Sequence, residues 1–149
     1  MGKKIKAIAQ MRGHSIINIS NSKYPLTNLD ITKCDVVIDF STPSTALDNV
    51  IYTLINNTPV VSGTTNWLSD IDKVKNLCLE KKGAFLYSAN FSLGMNIFFE
   101  INKQIAKIMK SYEYKCEVDE FHHTQKIDSS SGTALVLKKD IEKFHKQNI

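Results

Sequence analysis

The side chains best suited to chemistry lie together in EFHHTQKIDSSSGTA, residues 120 to 134: two adjacent histidines, a lysine and carboxylates ahead of a run of hydroxyls and a glycine. Histidine exchanges a proton near neutral pH, so His122 or His123 is a candidate general acid. Adjacent residues at the end of an expected strand point to opposite sides, so only one ring faces a given ligand directly. Metal ligation is the weaker alternative, because no third ligand stands at a characteristic spacing; a structural hydrogen-bonding role is the other. Ser131, Gly132 and Thr133 open an expected helix, whose unpaired N–H groups and positive dipole end favour an anion such as a carboxylate. Lys126, a few residues upstream, adds a full positive charge; a capped helix beside a solvated lysine is the plain reading of the same residues. Asp119, Glu120 and Asp128 flank the motif and could orient a histidine or hold Lys126. Nothing fixes two of these carboxylates across a cleft, as glycoside hydrolysis requires.

Three further segments invite a ligand: FSTP (40 to 43), SGTTN (62 to 66) and SANFSLG (88 to 94). All are rich in small residues and hydroxyls, and each follows an expected strand. In an open α/β sheet a ligand sits beyond the carboxyl ends of the strands, where small residues let it approach the backbone. Taken singly, each segment also reads as an ordinary turn or cap.

The elements that must position these groups are legible as periodicity. Ile5, Ile8 and Ala9 give Lys3 to Arg12 a helical stripe, and Gly13 supplies its stop. SIINI, residues 15 to 19, reads as a short β-prone run, and the polar stretch through Lys33, with Tyr24-Pro25, as an irregular connection. DVVIDF, residues 35 to 40, is a nearly continuous apolar strand of the kind buried on both faces in parallel sheets. Ser41-Thr42-Pro43 then starts a helix whose core face is Leu47, Val50, Ile51 and Leu54. PVVSGTT repeats strand and glycine turn. Ser69 is the expected cap of a third helix carrying Ile71, Val74, Leu77 and Cys78, which Gly83 ends before the strand AFLYS, residues 84 to 88. Leu93 to about Lys110 is a longer helix with Ile97, Ile101, Ile105 and Ile108 along one side, Tyr114 to Phe121 a further strand, and Ala134, Leu137, Ile141 and Phe144 mark the last helix. Alternation of strand and helix with short connections predicts an α/β fold, a doubly wound parallel sheet.

Composition narrows the classes. A chain of 149 residues, 42% hydrophobic, can bury a core. Net charge is +4, but the lysines are scattered and Arg12 is the one arginine, so no basic stripe for nucleic acid is expected. Cys34, Cys78 and Cys116 are odd in number and widely spaced, which argues against a disulfide framework or structural zinc and fits a cytoplasmic protein. No stretch approaches a membrane-spanning length, and the N-terminus lacks the apolar core of an export signal.

Taken together, DVVIDFSTP, VSGTTNW, SANFSLGMN and above all EFHHTQKIDSSSGTAL resemble the 4-hydroxy-tetrahydrodipicolinate (dihydrodipicolinate) reductase family, whose signature runs E-x-HHxxKxDxPSGTA. The resemblance runs in order from about residue 35 to 137. It implies a Rossmann-like sheet over residues 1 to 91, a partial dinucleotide-binding domain, followed over 92 to 149 by the start of an α+β substrate-binding and catalytic domain. It implies reduction of a cyclic imine dicarboxylate by NADH or NADPH in lysine and diaminopimelate biosynthesis, in a homotetramer, without metal, nucleic acid or membrane. Carried over residue by residue, Gly63, Thr64, Thr65, Ser88, Ala89, Asn90 and Phe91 line the cofactor pocket. His122 is the proton donor, Lys126 holds the substrate and assists catalysis, and His123, Gly132, Thr133 and Thr65 bind the substrate. Ser130 stands where the family has proline, and Thr124-Gln125 where Arg-His is commoner; these alter loop stiffness and charge but spare the named positions.

The ends depart further. The family begins with a strand and G-x-x-G-x-M-G, of which Met1-Gly2 match only the last two residues, and it continues for several strands beyond Ile149. The chain is therefore expected to be an incomplete copy, with the strand beside DVVIDF missing. After SIINI, where the family reads the cofactor ribose, Ser20 and Asn21 offer hydrogen bonds and Lys23 could reach a 2′-phosphate. A competing expectation is a degenerate remnant that binds a dicarboxylate or a partner without turnover; another is a nicotinamide-dependent dehydrogenase of different substrate, which would not require HHTQK ahead of SSSGT.

Overall fold

The structure, a computed structural model, describes residues 1–121 and 131–145. They form two compact units, Met1–Ser88 and Ala89–Ile149.

The first unit opens with α1, Gly2–Met11. Its end is a double hydrogen bond around a left-handed glycine: Gly13, at φ 80°, donates to Gln10 O at 3.0 Å and His14 donates to Ala9 O at 3.0 Å. This is the Schellman pattern, and Gly13 is the stop expected of it. No residue of α1 is buried. Residues 15 to 19 form no strand, contrary to the β-prone reading of SIINI. A strand exists only through its ladder, no described strand lies beside this one, and all but Ile16 are exposed. The irregular connection that follows is anchored instead by side chains. A 3₁₀ turn, Leu26–Asn28, buries Leu26, and Ile31 is 1% exposed. Tyr52 OH donates to Leu29 O at 3.1 Å, and Thr58 Oγ1 donates to Ile31 O at 3.3 Å.

Then come β1 (Val37–Asp39), α2 (Pro43–Ile55), β2 (Val60–Ser62), α3 (Ile71–Glu80) and β3 (Phe85–Tyr87). The strands are parallel in the order β1-β2-β3, with Asp39 opposite Ser62 and Ser62 opposite Tyr87. Right-handed crossovers stepping in one direction put α2 and α3 on the same face, and the two helices pack on each other. Between them and the sheet lies the core of Ala46, Val50, Leu54, Val60, Trp67 and Val74, with Leu47, Ile51, Ile71, Leu77 and Cys78 packed at its margin. The other sheet face aligns Ile38, Val61 and Leu86 across the three strands, and Ile38 and Leu86 are exposed, so DVVIDF is not buried on both faces as expected: among the described residues α2 and α3 cover one side only. Among the described residues β1 pairs only with β2.

Proline at the first position of α2, with Thr42 and Thr45 in a reciprocal capping box, explains why that start was readable. The start of α3 differs from expectation. Ser69 lies inside a 3₁₀ turn, Leu68–Asp70, and its hydroxyl donates to Asp70; the N-cap is Asp70, whose side chain makes no capping bond. At the other end, Gly83 is not the left-handed residue. Lys82 is, at φ 50°, donating to Leu79 O at 3.1 Å, while Gly83 donates to Cys78 O at 2.8 Å. Glycine at 83 serves packing, since a Cβ there would stand 3.1 Å from Leu54 Cδ2. A lysine in the left-handed region is strained where glycine is not, so Lys82→Gly is expected to raise unfolding free energy by about 0.5–1 kcal/mol. Denaturant melts of the two proteins check this.

The second unit contains α4 (Leu93–Met109) and α5 (Gly132–Glu142), packed on each other. The side of α4 that is buried is Phe99 and Ala106; Ile97, Ile101, Ile105 and Ile108 are exposed. One neighbouring helix covers one stripe, and α5 meets α4 along the stripe that holds Asn102 and Ala106. Asn102 Nδ2 donates to Leu137 O at 3.2 Å, and Ala106 O lies 3.1 Å from His145 Nε2. Asp140, 4% exposed on α5, bonds Lys143 at 2.7 Å and has Lys103 of α4 at 4.0 Å. Residues 114 to 121 form no strand: Tyr114 is 57% and Phe121 92% exposed, and no described segment pairs with them. No helix among the described residues is long and apolar enough to cross a membrane.

Candidate functional site

Parallel register brings the carboxyl ends of three strands to one edge, so Phe40 to Thr42, Gly63 to Asn66 and Ser88 follow from the same side of the sheet. Their meeting point is Asp39. Its side chain lies in a residue 6% exposed and accepts three hydrogen bonds: Ser62 Oγ at 3.1 Å and Thr64 Oγ1 at 2.8 Å on Oδ2, and Asn49 Nδ2 at 3.1 Å on Oδ1. Neither Asp39 nor Asn49 stood among the expected site residues. A carboxylate at the buried end of an apolar strand was the available signal, because burial demands partners for it.

Thr64 is used up by this arrangement. Its hydroxyl donates to Asp39 and accepts from Ser41 N–H at 2.9 Å, and its carbonyl accepts from Trp67 Nε1 at 2.7 Å. What it retains for a ligand is its peptide N–H. Thr65 is half-buried, and its hydroxyl bonds none of the described residues. The turn closes through Asn66 in the left-handed region at φ 62°. Trp67 is 5% exposed and packs edge-on against Phe85 and Tyr87, with ring centroids 6.2 and 6.1 Å away. Burial pushes the Tyr87 phenol above its ordinary value, so it stays a neutral hydroxyl at the strand end.

Gly63 is required by close approach. Its N–H donates to Asp39 O at 2.9 Å, and a Cβ at this position would lie 2.2 Å from Cε1 of the Phe40 ring. The edge therefore presents a glycine, an aromatic ring and a free threonine hydroxyl, which suits a flat ligand lying on backbone. Ser88 continues β3, its N–H donating to Ser62 O at 3.2 Å.

In the second unit, Ala89, Asn90 and Phe91 precede α4. Asn90 Oδ1 accepts from Ser92 N–H at 2.9 Å, and Asn90 O accepts from Asn96 Nδ2 at 3.0 Å, so asparagine braces the loop. Phe91 is 46% exposed. Further along, Ser131 is the N-cap of α5 through Ala134 N–H at 3.1 Å, and its own N–H donates to Glu120 Oε2 at 3.0 Å. Glu120 thus binds the far end of the EFHHTQKIDSSSGTA motif to its beginning. Gly132 and Thr133 are the first two residues of α5, where the helix offers their N–H groups no carbonyl. His122, His123, Lys126 and Asp128 lie outside the described residues. The expected ribose contacts are all exposed, and Asn21 Oδ1 is already taken by the N–H groups of Lys23 and Tyr24 at 2.9 and 3.2 Å. Among the described residues no cluster of three or more His, Cys, Asp or Glu could hold a metal.

Comparison with known proteins places both units. The family model for the N-terminus of dihydrodipicolinate reductase matches residues 1–91, and that for its C-terminus residues 94–149. The chain is 42% identical over 142 residues to the 4-hydroxy-tetrahydrodipicolinate reductase of Christiangramia forsetii, covering 95% of this chain and 59% of that protein. It is 43% identical over 118 residues to the protein of that name from Buchnera aphidicola, covering 79% and 42%. With the Archaeoglobus fulgidus protein it shares 41% over 120 residues, covering 79% and 46%. The chain thus spans about half the length of these curated relatives.

Proposed function

The chain belongs to the dihydrodipicolinate reductase family, and from that premise we propose that it carries the nucleotide-binding strand ends and the acid-base motif of a reductase. The reaction is reduction of 4-hydroxy-tetrahydrodipicolinate to tetrahydrodipicolinate in the cytoplasm, in which the substrate takes up a hydride and a proton and its 4-hydroxyl leaves as water. The observation that carries this reading is the single edge at which Phe40, Gly63, Thr65 and Ser88 follow three parallel strands.

NADH or NADPH, when bound, supplies the hydride. Gly63 gives the ligand access to backbone, the N–H groups of Gly63's neighbours and the Thr65 hydroxyl offer it hydrogen bonds, and Ser88 to Phe91 complete the contacts. Thr65 serves the substrate as well. His122 delivers a proton from its ring to the reduced substrate, and Lys126 holds the dianion and opposes its charge. His123 and the first-turn N–H groups of Gly132 and Thr133 receive the carboxylates. Lys23 is the candidate for a 2′-phosphate, so the reading allows either nucleotide. Residues 1 to 91 serve the nucleotide and 92 to 149 the substrate.

The test follows oxidation of NADH and NADPH on addition of the cyclic imine dicarboxylate, with this chain and with the same chain extended to the length of its relatives. The reading expects substrate-dependent oxidation by the extended protein. Nucleotide binding without turnover would favour a non-catalytic remnant, and neither binding nor turnover would overturn the reading.

A further inference from the structure

Asp39 is a buried acidic side chain that makes no ion pair with any described residue. Its partners are two hydroxyls and an amide, and each comes from a different part of the sheet edge: Ser62 ends β2, Thr64 lies in the loop beyond, and Asn49 projects from α2. Thr64 passes the connection on, because the oxygen that donates to Asp39 also accepts from Ser41 N–H at the approach to α2. Asn49 Nδ2 stands 3.3 Å from Ser41 Oγ as well. The backbone repeats the tie, Gly63 N–H donating to Asp39 O at 2.9 Å. Two strand-end loops are therefore joined through one carboxylate rather than only through the ladder, which stops at Asp39 and Ser62.

We propose that Asp39 is a positioning residue of the nucleotide site: its carboxylate, through Thr64, Ser62 and Asn49, holds the Gly63–Thr65 loop against the start of α2. Thr65 and the loop's N–H groups are thereby fixed in place for the ligand, while Thr64 acts as a strut with its side chain turned inward. Buried hydrogen-bond networks fix one arrangement when every member is satisfied and loosen when one is removed, since the remaining donors are left without water or partner. Asp39 touches no ligand in this role. The proposal rests on the nucleotide-binding reading given above, but its effect on the loop does not depend on a bound nucleotide.

The experiment has two arms on the 149-residue chain. The first compares amide hydrogen exchange in the wild type, Asp39→Ala, Thr64→Val and Thr64→Ser without ligand. Loss of the carboxylate or of the Thr64 hydroxyl predicts exchange of the two amides bonded into the loop, Gly63 N–H on Asp39 O and Ser41 N–H on Thr64 Oγ1, faster by roughly tenfold or more in Asp39→Ala and Thr64→Val, with Val74 in α3 unchanged. Thr64→Ser, which keeps the hydroxyl, should recover most of the protection. The second arm titrates the same proteins with NADPH and NADH below their unfolding temperatures. Asp39→Ala and Thr64→Val should each weaken binding by about tenfold, and the double variant should be no worse than the weaker single one, because both break one connection. Exchange that rises uniformly across the unit, or not at all at the loop, overturns the positioning role. Loop-confined exchange with a wild type that binds neither nucleotide leaves Asp39 as the organiser of the loop and sinks the nucleotide reading instead. Wild-type binding that all variants retain shows that the positioned loop is not where the nucleotide docks, and overturns the proposal.

Discussion

Gly63→Ala is expected to abolish saturable nucleotide binding and to destabilise the first unit by about 2–4 kcal/mol, beyond the usual cost of one added methyl in a packed site. The reason is geometric. The new Cβ would stand 2.2 Å from Phe40 Cε1, with Cζ at 2.3 Å, so the ring has to leave or the loop has to shift. Either movement disturbs Gly63 N–H on Asp39 O, and through it the bonds that Ser62 and Thr64 make to the carboxylate. Because the clash is with one side chain, Phe40→Leu in the same protein should restore part of the lost stability. Thermal melts of the single and double variants check the pairing. Equal stability of Gly63→Ala and wild type would mean that the ring lies elsewhere.

The second large effect belongs to the motif. In the chain extended to the length of its relatives, His122→Gln is expected to lower turnover by roughly two to four orders of magnitude, the usual contribution of a general acid. Affinity for the nucleotide should change little, because the nucleotide contacts proposed here are Gly63 to Thr65 and Ser88 to Phe91. Steady-state rates with and without the cyclic dicarboxylate, beside a nucleotide titration, separate the two quantities. Loss of turnover at one pH that is recovered at lower pH would indicate that solvent protons replace the ring. His123→Gln should instead raise the KM for substrate.

Much of the first unit was legible because its cues are local. Pro43 and Thr42 mark the start of α2, and the spacing of Val50 and Leu54 marks its buried face. The apolar runs around Val37, Val60 and Phe85 mark strands, but a continuous apolar run reads as burial on both faces and does not reveal that one face stays exposed at Ile38 and Leu86. The cues failed where an element depends on a neighbour. Residues 15 to 19 and 114 to 121 carry β-prone side chains but pair with no described strand, and no propensity replaces a ladder. The isoleucine stripe of α4 has the right period yet stays exposed, because period identifies a face and not what covers it. Lys82 shows the same limit at smaller scale: Gly83 looked like the stop, but hydrogen bonding assigns the left-handed position to its predecessor.

The site divides in a similar way. Glycine and hydroxyls after successive strands do fall at one sheet edge, since parallel strands make carboxyl ends coincide. The roles within it were not legible. Thr64 and Thr65 are neighbours of one type, and only the fold turns the first inward to Asp39 and leaves the hydroxyl of the second without a described partner. Glu120 is a candidate to orient a histidine by residue type, and only the fold shows that its carboxylate also receives the N–H of Ser131, eleven positions away. Such bonds depend on register and loop closure, which residue type alone does not encode.

One titration tests the central claim most directly. Trp67 is the single tryptophan, and its indole N–H is bonded to the carbonyl of Thr64 in the loop proposed to meet the nucleotide. Adding NADPH or NADH to the 149-residue chain while following Trp67 fluorescence should give saturable quenching with energy transfer to the dihydronicotinamide, reversed by excess oxidised nucleotide and absent in Gly63→Ala. A strictly linear response to both nucleotides, the same in wild type and Gly63→Ala, would contradict the account.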